Sequence, residues 1–154
     1  MVRVEVSYSR FGERGRIDLL AFHAATGTLV VIEIKTEPVD VQALLGSLDA
    51  KTRLAATIAQ PFGWEVRAVV PAIVFQENRT TRNRLGRVIP LFDRFSVHGR
   101  AATTWLRRPD GAPSGLLWFT AGPQRVPARS TSVRVRTSGG GSRRDLKADR
   151  PAAH

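Results

Sequence analysis

A chain of 154 residues, of which 42% are hydrophobic, is long enough for one domain with a buried core and a short extension. It contains no cysteine, which excludes a disulfide framework and a cysteine-based zinc site, and neither its start nor any apolar run predicts a signal peptide or a membrane span. We therefore expect a cytoplasmic protein that binds no membrane, and the formal net charge of +11 favours a phosphate-rich partner.

The first third of the chain predicts three strands. Residues 2 to 8 alternate between apolar and polar side chains, which is typical of a half-exposed strand. Residues 17 to 22 and 29 to 35 are almost continuously apolar, which indicates strands buried on both faces. Short turns at 12–15 and 25–28 separate the three strands, so we expect two consecutive hairpins.

The next elements are a long helix, a strand and a second helix. Asp40 can cap a helix that we expect from Val41 to about Ala59, before Pro61-Phe62-Gly63 ends it. Residues 66 to 75 predict a strand bent at Pro71, and a helix is expected from Thr80 to about Leu91. The order β-β-β-α-β-α predicts an α/β fold with a mixed central sheet flanked by helices.

The remainder is less regular. Residues 99 to 108 are compatible with a helix or a strand, and residues 116 to 119 with a short strand or an anchoring apolar segment. Trp105 and Trp118 are expected to anchor the core. Residues 124–154 contain eight basic and two acidic residues and few apolar ones, so we expect an α/β domain at 1–122 and a disordered basic tail at 123–154.

Charged side chains at the end of the predicted hairpin carry the functional signal. Glu33 and Lys35 are two residues apart on one strand and therefore point to the same side, and the turn at 25–28 can bring Asp18 beside them. Burying two carboxylates and an ammonium is costly unless they are used. Paired carboxylates suit a hard cation such as Mg²⁺, and a lysine can polarise a phosphate or an attacking water.

Asp18 followed by Glu33-x-Lys35 on these elements resembles the core of the PD-(D/E)XK nuclease superfamily, which has the restriction-endonuclease-like fold. The resemblance covers roughly residues 2 to 75, about half of the chain. It implies a DNA endonuclease in which Mg²⁺ (or Mn²⁺) is bound by Asp18, Glu33 and the carbonyl of Ile34. It further implies that Lys35 orients the attacking water and that Gln42, on the following helix, contributes to the active site.

The chain departs from the superfamily pattern in two places. Ile17 replaces the proline of the motif, and no helix precedes the first strand. Glu5 or Glu13 could supply the third acid that this helix often carries, and Glu37 is a weaker candidate. A second hypothesis follows: a nuclease-like module that no longer cuts and serves a DNA-binding or regulatory protein. Upstream sequence could hold the missing helix or a separate helix-turn-helix domain that reads DNA, a role that a partner could also fill. The sequence predicts no oligomeric state.

Other charged residues have simpler explanations. Asp49 and Arg53 are expected to pair on a solvated helix face, and Lys51 is expected at the surface. Four arginines crowd the second predicted helix and either follow a phosphate backbone or form a solvated face: Arg79, Arg82, Arg84 and Arg87. The three histidines share no metal-ligand spacing, and no P-loop, dinucleotide-binding or serine-hydrolase motif is present.

Overall fold

Two consecutive hairpins form the antiparallel half of a six-stranded sheet. The computed structural model describes residues 1–121, so the predicted tail at 123–154 and its boundary lie outside the described residues. The three strands are β1 (Val2–Arg10), β2 (Glu13–His23) and β3 (Thr28–Lys35). Each is antiparallel to the next, as predicted, but the first turn lies at residues 11–12, and residues 13–15, which were expected in the turn, begin β2.

A helical crossover then reverses the pairing. After β3 the chain forms α1 (Val41–Ala59) and returns as β4 (Ala68–Glu77), which is parallel to β3. The short β5 (Val97–His98) and β6 (Leu116–Ala121) extend the parallel half, and the strand order is β1-β2-β3-β4-β6-β5. The predicted α/β class with a mixed sheet and flanking helices is thus confirmed.

The first helix has the predicted bounds because both of its ends are set locally. The Asp40 carboxylate accepts a hydrogen bond of 3.0 Å from the amide of Ala43, which satisfies one of the free donors of the first turn. At the other end, a 3₁₀ turn at Gln60–Phe62 follows, and Gly63 takes a left-handed φ of 69°. Pro61 lacks the amide that would continue the helix.

Two later elements differ from expectation. The fourth strand begins at Ala68 and runs through Pro71 as one strand. Pairing with β6 begins only at the residue after Pro71, so one side of β4 has no ladder there for the missing amide to interrupt. The second helix is α2 (Arg79–Val88) and ends three residues earlier than predicted, because Pro90 converts the next turn into a 3₁₀ segment.

Helices cover both faces of the sheet. The larger core packs α1 and α2 on one face, and a smaller core packs α3 (Gly99–Arg107) on the other, which resolves the ambiguous segment as a helix. Trp105 and Trp118 pack against the smaller core, as predicted. Within residues 1–121, no helix is both long and apolar enough to cross a membrane.

Candidate functional site

The carboxyl end of β3 carries a carboxylate that the fold buries. The strand is buried from Thr28 through Glu33, and the Glu33 side chain is only 2% exposed. Glu33 shares its side of the strand with Val31, which belongs to the core under α1. An ionised carboxylate in this position costs free energy unless charged partners compensate it.

Lys51 of α1 is one of these partners. Its Nζ donates a hydrogen bond of 2.6 Å to Glu33 Oε1, and its side chain is 9% exposed. The prediction that Lys51 points to the surface is wrong. A signal was present in the sequence, because Lys51 falls at helical spacing on the buried stripe that includes Leu44, Leu48 and Ala55.

Lys35 is the second partner of Glu33. Its Nζ lies 3.5 Å from Glu33 Oε2, on the side of the strand that the alternation requires. Unlike Lys51, its side chain is 39% exposed. The two oxygens of Glu33 therefore face two different ammonium groups, one enclosed beneath α1 and one open to solvent.

Asp18 reaches the same strand end through the backbone. Its Oδ2 accepts a hydrogen bond of 2.8 Å from the amide of Ile34. The alternation of β2 is interrupted around Asp18, since Ile17 and Leu20 lie three residues apart but both join the core under α1. On the facing strand, Glu5 has a left-handed φ of 50°. The irregular hairpin thus brings the Asp18 carboxylate into contact with the backbone of the Glu33–Lys35 segment.

A cleft of about 430 Å³ opens at this end of the sheet. Its charged lining consists of three carboxylates and two ammonium groups: Glu33, Glu37, Asp40, Lys35 and Lys51. On the helix side, Ala43 and Ser47 line it. Gln42 is exposed on the first turn of α1 and is not among the described lining residues, and neither is Asp18. The structure therefore brings Lys51, rather than Gln42, to Glu33.

The candidate third acids have basic partners. Glu5 Oε1 lies 3.7 Å from Arg16 Nη1, and both side chains are exposed. Glu37, which lines the cleft, forms an ion pair with Arg84 of α2. Neither carboxylate contacts Asp18 or Glu33 among the described contacts.

The predicted pairing on the exposed face of α1 is wrong. Arg53 Nη2 donates a hydrogen bond of 2.7 Å to Glu13 Oε1 on β2, so Glu13 is also engaged. Asp49 instead accepts two hydrogen bonds, of 2.6 and 3.0 Å, from the guanidinium of Arg94. Both partners come from other elements, and each side chain fixes α1 to a neighbouring segment instead of to its own next turn.

The pKa of Tyr8 on β1 depends on burial and on three nearby charges. Burial raises its pKa above the ordinary value of about 10, and the carboxylates of Glu13 and Glu33 raise it further. The guanidinium of Arg53 acts in the opposite direction. The phenol thus lies within electrostatic range of the buried Glu33 carboxylate.

The arginines of α2 are exposed but not all free. Arg84 pairs with Glu37, and Arg82 pairs with Glu77 at the end of β4 at 2.5 Å. Arg79 and Arg87 form no ion pair within residues 1–121. Two of the four positive charges are therefore neutralised by neighbouring acids, which weakens the predicted basic track along this helix.

Asp18 and Glu33 offer the kind of donors that suit Mg²⁺. The described residues contain no cluster of three or more histidine, cysteine, aspartate or glutamate side chains placed to hold a metal ion. Mg²⁺ is nevertheless commonly held by one or two carboxylates, with waters and substrate phosphates completing its shell. The two carboxylates and the Ile34 carbonyl match that requirement in donor type, and a cation at Glu33 would compete with Lys51 and Lys35 for the same oxygens.

Comparisons with protein-family models, with curated proteins and with solved structures return no match to this chain. The residues of the cleft and their geometry are therefore the basis for inferring a function.

Proposed function

We propose that the protein is a cytoplasmic, Mg²⁺-dependent endonuclease that hydrolyses phosphodiester bonds in DNA, with the fold of the restriction endonucleases. The observation that carries the proposal is Glu33, a carboxylate 2% exposed at the end of a parallel strand and held between Lys51 and Lys35. A buried charge of this kind is expensive, and replacing such pairs with apolar residues often stabilises a protein. A role in metal binding or catalysis is the simplest explanation for a buried carboxylate beside an open cleft.

The second carboxylate strengthens the proposal. Asp18 contacts the amide of Ile34, directly after Glu33, although it lies on another strand. This contact coincides with the interrupted alternation of β2. Irregularities of a strand are frequent next to active sites, where they aim a side chain away from its regular direction. Here the irregularity turns the side chain of Asp18 toward the carboxyl end of β3.

The lysines have different roles in this proposal. Lys35 is partly exposed, so its ammonium can leave Glu33 and contact a phosphate oxygen or the water that attacks phosphorus. Lys51 is enclosed and holds the carboxylate of Glu33 in one orientation. When bound by Asp18, Glu33 and the Ile34 carbonyl, the divalent cation would lower the pKa of a water and neutralise charge on the phosphate.

A second candidate is a nuclease-like module that binds DNA without cutting it. One observation favours it: both oxygens of Glu33 face ammonium groups, and the described residues contain no group of three or more potential metal-ligating side chains placed to hold an ion. In such a module the lysines would replace the cation as the partners of Glu33. Affinity for DNA would then be independent of divalent metal.

Nicking of supercoiled plasmid separates the two candidates. The enzyme hypothesis predicts open-circular product with Mg²⁺ or Mn²⁺ and none with chelator. The binding hypothesis predicts no product under any condition and retention of DNA in chelator. Folded protein that binds metal but leaves plasmid, linear, branched and single-stranded DNA uncut would overturn the proposed activity.

A further inference from the structure

A second cavity, of about 470 Å³, lies at the carboxyl ends of β4 and β6. It is bounded by α2 on one side and by the start of α3 on the other. One wall is apolar, with Leu85, Ile89, Leu117 and Phe119, and the rim is polar, with Glu77, Arg82, His98, Arg100 and Thr103. A cavity of this volume, apolar in part and with a few polar groups, is typical of a site for a small molecule or a single nucleotide.

The charges of this cavity favour an anion. The guanidinium of Arg82 pairs with Glu77, and its central carbon lies 4.8 Å from the centroid of the Phe119 ring. Arg100 also lines the cavity, is exposed, and forms no ion pair within residues 1–121. With two guanidinium groups, one carboxylate and His98 counted as neutral, the lining has a formal charge of +1.

The sheet register connects this cavity with the Glu33 cleft. Lys35 of β3 lies opposite Phe75 of β4, and Phe75 lies opposite Phe119 of β6. Lys35 and Phe119 are therefore in one row and on the same face, two strand spacings apart, or about 10 Å. That distance corresponds to about three stacked nucleotides, at roughly 3.4 Å per nucleotide along one strand.

The second helix lies between the two openings. Its Thr81 donates a hydrogen bond of 2.8 Å from Oγ1 to the carbonyl of Thr36, directly after β3. On the same helix, Arg84 pairs with Glu37 of the cleft, whereas Arg82 and Leu85 line the cavity. The cleft and the cavity are thus neighbouring openings along one edge of the sheet.

We propose that this cavity is a nucleotide subsite, which receives one nucleotide of the DNA strand whose phosphodiester lies in the Glu33 cleft. Arg100 contacts the phosphate of that nucleotide. The base packs against the apolar wall, where Arg82 over Phe119 offers a cationic and aromatic surface of the kind on which bases stack. The identity of the ligand rests on the proposed function, whereas the existence of an anion site in the cavity does not.

Binding of a fluorescent single-stranded oligodeoxynucleotide, measured by anisotropy in chelator with the full chain, tests the subsite. The wild type serves as the parent, because chelator already prevents the proposed Mg²⁺-dependent cleavage. Arg100→Gln should weaken binding about 10-fold and reduce the salt slope by about one, as expected for one lost phosphate contact. Arg107→Gln is the matched control, because it removes the same charge from the other end of α3, outside the cavity.

A second variant tests the base contact without changing the charge. Thr103 lines the cavity, and Thr103→Leu should fill part of it and weaken binding several-fold while the salt slope stays unchanged. Equal losses in Arg100→Gln and Arg107→Gln, or an oligonucleotide that does not bind the parent at all, overturn the subsite. Binding that depends on Arg100 in a protein that never nicks plasmid supports the subsite and refutes only the proposed hydrolysis.

Discussion

Glu33 and Glu77 lie near the carboxyl ends of two adjacent parallel strands, yet their surroundings are opposite. Glu33 is 2% exposed and faces two lysines, one of them beneath α1. Glu77 is the last residue of β4, is 42% exposed, and pairs with Arg82 of the helix that follows. The depth of the side chain makes the difference, because α1 covers one strand end and solvent reaches the other. A surface pair such as Glu77–Arg82 contributes about 0–1 kcal/mol, whereas a buried charge is costly to leave without its partner.

The largest effect is expected where the buried pair is broken. Lys51→Met removes the ammonium at 2.6 Å and leaves Glu33 buried with only the more distant Lys35. We expect a loss of about 3 kcal/mol in the free energy of unfolding, measured by urea denaturation. Glu33→Gln combined with Lys51→Met should recover most of that loss, since no buried charge then remains.

The exposed pair is the control for this change. Arg82→Met removes the cationic partner of Glu77, and we expect a change within about 1 kcal/mol. If Lys51→Met also changed the free energy of unfolding by less than about 1 kcal/mol, the buried pair would contribute no more to stability than the exposed pair.

The next largest effect concerns catalysis. Lys35→Met keeps the aliphatic stem but removes the partly exposed ammonium of the cleft. If the protein is a nuclease, plasmid nicking should fall by roughly 100-fold or more, because a charge aimed at the phosphate stabilises the transition state more than the ground state. Arg14→Met, an exposed charge on β2, should nick at close to the wild-type rate. Equal rates in wild type and Lys35→Met would remove Lys35 from the mechanism.

A smaller effect is expected on metal binding. Asp18→Asn preserves an acceptor for the amide of Ile34 but removes the charge. In the wild type, Mg²⁺ or Mn²⁺ at ten times its Kd should stabilise the fold by about 1.4 kcal/mol, or roughly 5 °C in melting temperature. This rise should vanish in Asp18→Asn and persist in the exposed Asp93→Asn control. Calorimetry that finds equal metal binding to wild type and Asp18→Asn would contradict the assignment.

The smallest effect is expected on the pKa of Tyr8, which depends on the nearby charges of Glu13, Glu33 and Arg53. Tyr8 is the only tyrosine of the chain, so the ultraviolet signal of phenolate belongs to it alone. Its native pKa should lie above about 10 and return to that value in urea. Because the folded pKa is raised, the stability that Tyr8 contributes is present below pH ~10 and is lost as the pH rises through the folded pKa.

Variants of the two carboxylates calibrate that titration. Glu13→Gln should lower the native pKa of Tyr8 more than Glu33→Gln does, since Glu13 contributes more to the rise. A native pKa that responds to neither variant would show that burial alone raises it.

The sequence by itself determined the presence and order of the first four strands, the bounds of α1 and the shared side of Glu33 and Lys35. These features depend on neighbours a few residues away: alternation along a strand, the Asp40 cap, and the break at Pro61. The α/β class followed from the order of the elements, because a helix between two strands favours a parallel crossover.

Only the tertiary structure decided which charges meet. Lys51 and Glu33 are 18 residues apart, and Arg94 and Asp49 are 45 apart. Helical periodicity could have shown that Lys51 lies on a buried stripe, but not that the carboxylate of Glu33 lies next to it. Arg53 likewise pairs with Glu13, 40 residues away, rather than with Asp49 on its own helix. The physical reason is that a charged side chain takes the partner that the packing of α1 on the sheet brings within hydrogen-bond distance, and that packing is a property of the whole core.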